Sequence, residues 1–375
     1  MTNKEILIHL SLIQKIGPAT VNKLLESLNS KGIDLINIYN FDLKDLVNYT
    51  NLNINTCNLI YNGLKDKSIL DIELESLEKN RIYTLSILDA DYPLMLKNIY
   101  LPPVILYIKS SENFKFDDNG IAIVGSRNND SYGAFVVNNI VPELAKNRYT
   151  IVSGGAYGID TLAHRSAINS GGKTIAILGS GLLRLYPKDN IELFNKILVS
   201  GGALVSPYSL YTAPMASNFP ARNRIIAGLS KLCLVVQADQ KSGALITANY
   251  ALEQGKEVCA IPGAINNSLS FGCNKLISQG AHLISNVNDI LSLLGDYKPN
   301  LVNIDRFSIE NNMEVQNSNN NIYDKIIDLC KNPISFDELL LKLNLEFSEL
   351  QDFLFELELK GRLIQNYMGL WLKKI

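Results

Sequence analysis

The strongest constraint on how this chain folds is a pattern repeated between residues 121 and 263: a short apolar run, a loop of small residues, then a helical stretch. The apolar runs are Ile121-Ala-Ile-Val124, Thr150-Ile-Val152, Thr174-Ile-Ala-Ile-Leu178 and Leu232-Cys-Leu-Val-Val236. The loops are Gly125-Ser-Arg127, Ser153-Gly-Gly-Ala-Tyr-Gly-Ile-Asp160, Gly179-Ser-Gly181 and Ser242-Gly-Ala-Leu-Ile-Thr247. Strands without polar alternation are buried on both faces, and strands that alternate with helices pair in parallel. The expectation is an α/β fold built on an extended Rossmann-like, doubly wound sheet. Its loops gather at the carboxyl edge, where ligands bind. Backbone N–H groups of small-residue loops, aided by helix N-termini, favour phosphate there.

The rest of the chain divides around this block. Residues 1–65 read as short helices, and Ile16-Gly-Pro-Ala-Thr-Val-Asn-Lys-Leu-Leu25 has the form of a helix-hairpin-helix (SAM-like) turn. Gly17 is expected to permit the tight turn, Pro18 to start the next helix, and Leu24 and Leu25 to face inward. Six Lys/Arg against five Asp/Glu in this segment leave a balance of +1. That is thin for DNA and favours a helical docking module over a phosphate site. The sheet domain spans 66–296, with early strands at Ile82–Ile87 and Val104–Ile108 around Tyr92-Pro-Leu-Met-Leu-Lys97. Residues 297–321, polar and Asn-rich, read as a flexible linker. Residues 322–375 read as a winged helix: three helices, the second opened by Ser335 and Glu338 as a capping box, then a hairpin. This tail carries seven Lys/Arg and nine Asp/Glu, a balance of 7 − 9 = −2, so protein contact suits it better than duplex DNA.

Composition narrows the function. The chain has 375 residues, 47% hydrophobic and 19% charged, with net charge −2, so no overall basic field draws in a polyanion. Any nucleic-acid contact has to come from a local patch. No apolar run approaches the roughly 18 residues a membrane span requires, and the N-terminus lacks a secretory pattern. Five scattered cysteines form no C-x-x-C pair, and Cys233 and Cys259 sit in apolar runs as small hydrophobes. A reduced cytoplasm suits this pattern.

The loops carry the candidate chemistry. Gly125 lets the backbone approach a ligand, Ser126 offers a donor, and Arg127 suits a bidentate phosphate pair. The Ser153–Gly158 loop is not G-x-G-x-x-G and no acid follows about 20 residues on, which disfavours a dinucleotide coenzyme. Asp160 and His164, four apart, share a helical face as an acid–base pair or a structural contact, with no nucleophile or metal-ligand set beside them. In Phe219-Pro-Ala-Arg-Asn-Arg224, Phe219 either stacks on a base or staples the following helix. Arg222 and Arg224 diverge, so one reaches a ligand while the other buttresses the loop. Leu276 and Ile277, on a short late helix, read as core or as a subunit contact.

Taken in order, Gly125-Ser-Arg127, Ser153-Gly-Gly-Ala-x-Gly-Ile-Asp160, Tyr186-Pro187, Phe219-Pro-x-Arg-Asn-Arg224, Ser242-Gly-Ala-Leu-Ile-Thr247, Pro262-Gly263 and Gly272-Cys-Asn274 resemble the DNA-processing protein family DprA/Smf. The resemblance runs from the N-terminal hairpin to Leu357-Glu-Leu-Lys-Gly-Arg362. It implies a non-enzymatic protein that binds and protects single-stranded DNA and helps load the RecA recombinase, in natural transformation or general recombination, as a cytoplasmic homodimer without a cofactor. By motif it implies phosphate contacts at Gly125, Ser126 and Arg127 with Ser153 and Gly154 beside them. It further implies base stacking at Phe219, a pocket completed by Arg222, Asn223 and Ser242, a backbone contact at Lys188, and a dimer surface near Leu276 and Ile277. Gln237 departs from the glutamate that this resemblance leads one to expect. The rival is a Rossmann-like nucleotide phosphoribohydrolase, whose Pro-Gly-Gly-x-Gly-Thr-x-x-Glu motif is not matched by Pro262-Gly-Ala-Ile-Asn-Asn267. A winged-helix regulator with a ligand-sensing core is disfavoured by the acidic tail.

Overall fold

The computed structural model describes residues 1–111, 114–296, 315–343, 345–366 and 369–373. The chain forms two units, Met1–Tyr297 and Lys298–Ile375. The first begins with α1 (Asn3–Leu12), α2 (Pro18–Ser30), α3 (Leu43–Tyr49), α4 (Ile54–Gly63) and α5 (Ser68–Lys79). Thr2 and Glu5 start α1 with a reciprocal capping box, satisfying two backbone donors of the first turn. Pro18 occupies the first position of α2, where its missing N–H costs nothing. The turn before it does not use glycine's freedom. Gly17 sits at φ −107°, and the left-handed residue is Lys15 at φ 66°. Leu24 is fully buried and Leu25 partly so. α5, beyond the boundary read at residue 65, packs on α1.

The sheet follows with β1 (Tyr83–Ser86), α6 (Leu94–Lys97), β2 (Ile105–Ser110), β3 (Gly120–Val124), α7 (Ser131–Lys146), β4 (Thr150–Ser153) and α8 (Ile159–Asn169). It continues through β5 (Thr174–Ile177), α9 (Ile191–Val199), β6 (Ala203–Ser206), α10 (Asn218–Gly228), β7 (Leu232–Val235) and α11 (Gly243–Glu253). The last elements are β8 (Glu257–Ala260), α12 (Phe271–Ser278), β9 (His282–Leu283) and α13 (Val287–Leu293). The strand order is β1-β2-β6-β5-β4-β3-β7-β8-β9. From β6 to β9 all neighbours are parallel, while β2 joins β6 and β1 joins β2 antiparallel.

Burial explains the central strands. Every residue of β3, β4, β5, β6 and β7 is buried, so helices cover both faces. Successive residues of β3 serve opposite faces. Ile121 and Ile123 pack with Val137 and Leu144 of α7, and Ala122 and Val124 pack with Ile225 of α10 and Ala248 of α11. The N-terminal helices share a third cluster with the sheet, where Leu7, Leu24 and Ile60 join Tyr107, Phe194 and Leu204. All five cysteines are free and buried, and burial pushes the Cys233 thiol up to about 12.

The chain winds outward from β3 through β4 and β5 to β6, then crosses back through α10 to β7 on the other side of β3. The loops after β3 and β7 therefore diverge, and the sheet opens a crevice between them.

The second unit has α14 (Val315–Leu329), α15 (Phe336–Leu343), α16 (Phe347–Leu359), β10 (Leu363–Gln365) and β11 (Trp371–Lys373). The strands pair antiparallel with Leu363 opposite Lys373, and Ile334 bridges to Trp371. Ile326, Leu339, Leu350, Leu354, Leu357 and Trp371 form its core. The Ser335 hydroxyl accepts from the Glu338 amide at 3.2 Å at the start of α15. Of the segment expected as a linker, residues 297–314 lie outside the described residues and 315–321 are helical. Among the described residues no helix is long and apolar enough to cross a membrane.

Candidate functional site

The crevice is a cleft of about 580 Å³. The loop after β3 supplies Gly125, Ser126, Arg127 and Asn128; α10 supplies Phe219, Arg222 and Asn223; the segment after β7 supplies Asp239, Lys241 and Ser242. Ser242 caps α11, its hydroxyl accepting from the Ala244 amide at 3.3 Å, so the positive end of that helix opens into the cleft. Asn223 ties α10 to the same point through its amide on the Gly243 carbonyl, 3.3 Å away.

Phe219 is fixed by contacts on several sides. A side chain at Gly179 would lie 2.8 Å from its ring, so glycine at that position lets the ring settle onto the loop after β5. Tyr186 packs obliquely at 5.8 Å between centroids, and the exposed Arg127 guanidinium lies 5.8 Å from the Phe219 centroid. A cation and a half-exposed aromatic thus stand side by side at the mouth.

The floor is a buried polar lattice. Arg222 is buried, and its Nη1 donates to the Gly154 carbonyl at 2.6 Å and to the Ile177 carbonyl. Burial lowers its guanidinium to about 10. Asp160 is also buried, which raises its carboxyl; the Arg222 charge and the amides of Ala156 and Gly154 oppose that rise. The Gly154 and Ala156 amides donate to Asp160 Oδ2 at 3.1 and 3.3 Å. Gly158, at φ 72°, lets the loop pass the Ser126 carbonyl, which any side chain there would strike.

Residues 83–295 match the family model described as DNA recombination-mediator protein A. The chain belongs to that family. It is 40% identical over 221 residues to the DNA processing protein DprA of Bacillus subtilis, covering 59% of this chain and 74% of that one. The DprA of Streptococcus pneumoniae is 44% identical over 218 residues, 58% of this chain and 76% of that one. The crystal structure of the S. pneumoniae protein aligns with TM-score 0.67 at 34% identity, over 78% of this chain and 98% of that one. A Helicobacter pylori DNA processing protein A, whose structure concerns its single-stranded DNA binding mode, aligns with TM-score 0.51 at 30% identity, over 58% of this chain and 98% of that one.

Within this family frame, the cleft brings together Gly125, Ser126, Arg127, Phe219, Arg222, Asn223 and Ser242. Four of the expected strand contacts turn inward or stand apart. The Ser153 hydroxyl is buried and donates to the Ile123 carbonyl at 2.6 Å, and the Gly154 amide is taken by Asp160, so both brace the floor. Lys188 is exposed in the turn after Tyr186 and Pro187, beside the cleft rather than in its lining. Arg222, expected at a ligand, spends Nη1 on backbone carbonyls, and Arg224 does the same toward Leu101 and Tyr100. Leu276 is 6% exposed inside the core, because α12 turns it onto the sheet; only Ile277 is partly exposed, and it packs on the same cluster. Leu276 is therefore mostly covered by its own chain, and Ile277 is the partly exposed member of the pair.

Asp160 and His164 do not meet as a pair. His164 Nδ1 lies 2.7 Å from Thr174 Oγ1, whose hydroxyl donates to the Ile151 carbonyl, so the imidazole carries its proton on Nδ1. Burial pushes His164 down to about 3, keeping it neutral. Lys241, Asn128 and Asp239 were missed, although Lys241 directly precedes the Ser242 loop and carried that signal.

Proposed function

We propose that this chain is a single-stranded DNA-binding recombination mediator, and that the cleft at the switch between β3 and β7 holds the strand. The observation that carries the reading is Arg127 beside Phe219 at the mouth of a cleft into which the α11 N-terminus opens. An arginine fork and a helix N-terminus suit phosphate, and a half-exposed ring suits a base of any identity. Such a site gives sequence-tolerant, salt-sensitive affinity without a titrating pair. Pro262-Gly-Ala-Ile-Asn-Asn267 lacks the second glycine and the glutamate of the phosphoribohydrolase motif, which counts against that reading. On this reading the protein works without catalysis in the cytoplasm as a homodimer that protects the strand and loads RecA, with Lys188 touching the backbone beside the cleft. Two clefts on one strand raise avidity without new contacts. The acidic winged-helix tail serves a protein contact.

Fluorescence anisotropy with labelled oligo-dT and the matching duplex tests this. The wild type should bind the single strand more tightly than the duplex, and Arg127→Ala and Phe219→Ala should each weaken it about fivefold or more. Equal binding by both variants and the wild type would assign the cleft to another ligand.

A further inference from the structure

We propose that the bound strand continues past Phe219 onto a ledge formed by Tyr186 and Tyr157, where two further bases stack. The proposal rests on the single-strand reading of the cleft and extends it to residues outside the cleft lining.

The ledge is built from the loops after β4 and β5, and these are locked together. Asn190 donates through Nδ2 to the Gly155 carbonyl at 3.0 Å and to Thr161 Oγ1 at 2.8 Å. The Tyr157 hydroxyl donates to Asp189 Oδ2 at 2.8 Å. Its polar end is thus anchored on the neighbouring loop while the ring remains 39% exposed. Tyr186 is 40% exposed, and its ring stands 5.8 Å from Phe219 at an angle of 57°. Tyr157 reaches the Tyr186 loop through Asp189, three residues on from Tyr186. Phe219 and Tyr186 thus stand side by side at the carboxyl ends of the central strands, and Tyr157, on the loop that passes the Arg127 carbonyl and bonds to Asp189, flanks them.

Tyr157 and Tyr186 both keep more than a third of their surface open to solvent. A rigid row of half-exposed rings is what a single strand uses, because every base presents a π-face. The charge arrangement is compatible with a phosphate path on one side. Lys188 is exposed two residues beyond Tyr186, while the Asp189 carboxylate between the loops already accepts the Tyr157 hydroxyl. Tyrosine supplies this surface at low conformational cost, since it has only two side-chain torsions.

Anisotropy with dT4, dT6, dT8 and dT12 on the full chain separates cleft from ledge. For the wild type, affinity should climb between dT4 and dT8. Tyr157→Ala should lose about fivefold of that gain and leave dT4 binding unchanged, while Tyr157→Phe, which keeps the ring, should retain it. A wild-type titration with a dT8 carrying abasic sites outside the cleft-bound segment should lose the same factor without altering the protein. An unchanged length dependence in Tyr157→Ala, or equal loss on dT4 and dT8, overturns the ledge while leaving the cleft reading in place. Absence of wild-type binding to any single strand overturns both.

Discussion

Gln237 is buried and uses both ends of its amide on one neighbour. Its Nε2 donates to Asp130 Oδ1 at 2.7 Å, and its Oε1 accepts the Asp130 amide at 3.3 Å. Asp130 also caps α7 through the Gly133 amide and accepts from Asn267 Nδ2 at 3.0 Å. These donors, the Gly133 amide first, hold the Asp130 carboxyl below its ordinary range. A carboxyl lowered on folding contributes stability above its unfolded pKa of about 3.9, and that contribution fades as pH falls through the folded value. Above about pH 5 the wild type has all of it. Gln237→Glu, the residue that the family resemblance leads one to expect, reverses the sign. Two carboxyls at hydrogen-bond distance share one proton, so the pair titrates upward on folding. Its stability is present at acid pH and lost as pH rises. The expected deficit is about 1–2 kcal/mol at pH 8, largely recovered at pH 5, discounting for the partial exposure of Asp130. Thermal unfolding at the two pH values reads this directly. A deficit of the same size at both would mean that packing, not charge, governs the site. The loop at stake is the one that carries Arg127, because the Ser126 amide donates to the Gln237 carbonyl at 2.7 Å.

Among the elements, α5 has a reach that its sequence does not advertise. Its buried Glu73 accepts the Leu210 amide at 2.8 Å, and Ser76 meets the Tyr211 hydroxyl at 3.2 Å. A helix of the N-terminal region thereby clamps the segment that feeds α10, and with it Phe219. Burial raises the Glu73 carboxyl, a shift opposed by the Leu210 amide and Tyr107. A carboxyl raised on folding favours the folded state at low pH and loses that benefit as pH rises through the folded value. Glu73→Gln keeps an acceptor and removes the charge, so its Tm at pH 8 should match or exceed that of the wild type. Glu73→Leu strands the Leu210 amide and should cost about 1–3 kcal/mol. Equal Tm for the wild type and Glu73→Leu would show the clamp to be idle. The central strands were legible because unbroken apolar runs have few places to go in an α/β fold. Arg222 was not, since a phosphate ligand and a buried carbonyl tie read alike until tertiary packing decides between them. The same ambiguity placed Leu276 at a surface and gave Gly17 a turn that Lys15 makes. Ser153 and Gly154 carry the same ambiguity: their hydroxyl and amide bond within the floor beneath the cleft.

At the scale of the molecule, net charge and local charge part company. With a net charge of −2 the chain as a whole repels a polyanion weakly, so binding has to rest on a few cations near the cleft. Arg127 and Lys241 line it, and Lys188 stands beside it. Three phosphate contacts on a single strand release few counterions, which sets a slope of about −2 for log K against log salt. That slope is shallow for a DNA-binding protein and is what three phosphate contacts by Arg127, Lys241 and Lys188 would give. Residues 1–65, balanced at +1 by six Lys/Arg against five Asp/Glu, and the tail at −2, by seven against nine, add nothing to it if neither touches the strand. Anisotropy from 50 to 400 mM salt distinguishes the cases. A slope near −2 confines the electrostatics to the cleft and its rim. A slope beyond about −5 requires several more phosphate contacts than these three cations supply, and would assign them to the N-terminal helices, the tail or a second copy of the chain. The non-electrostatic remainder, extrapolated to high salt, should then be the part that falls in Phe219→Ala, because stacking releases no counterions.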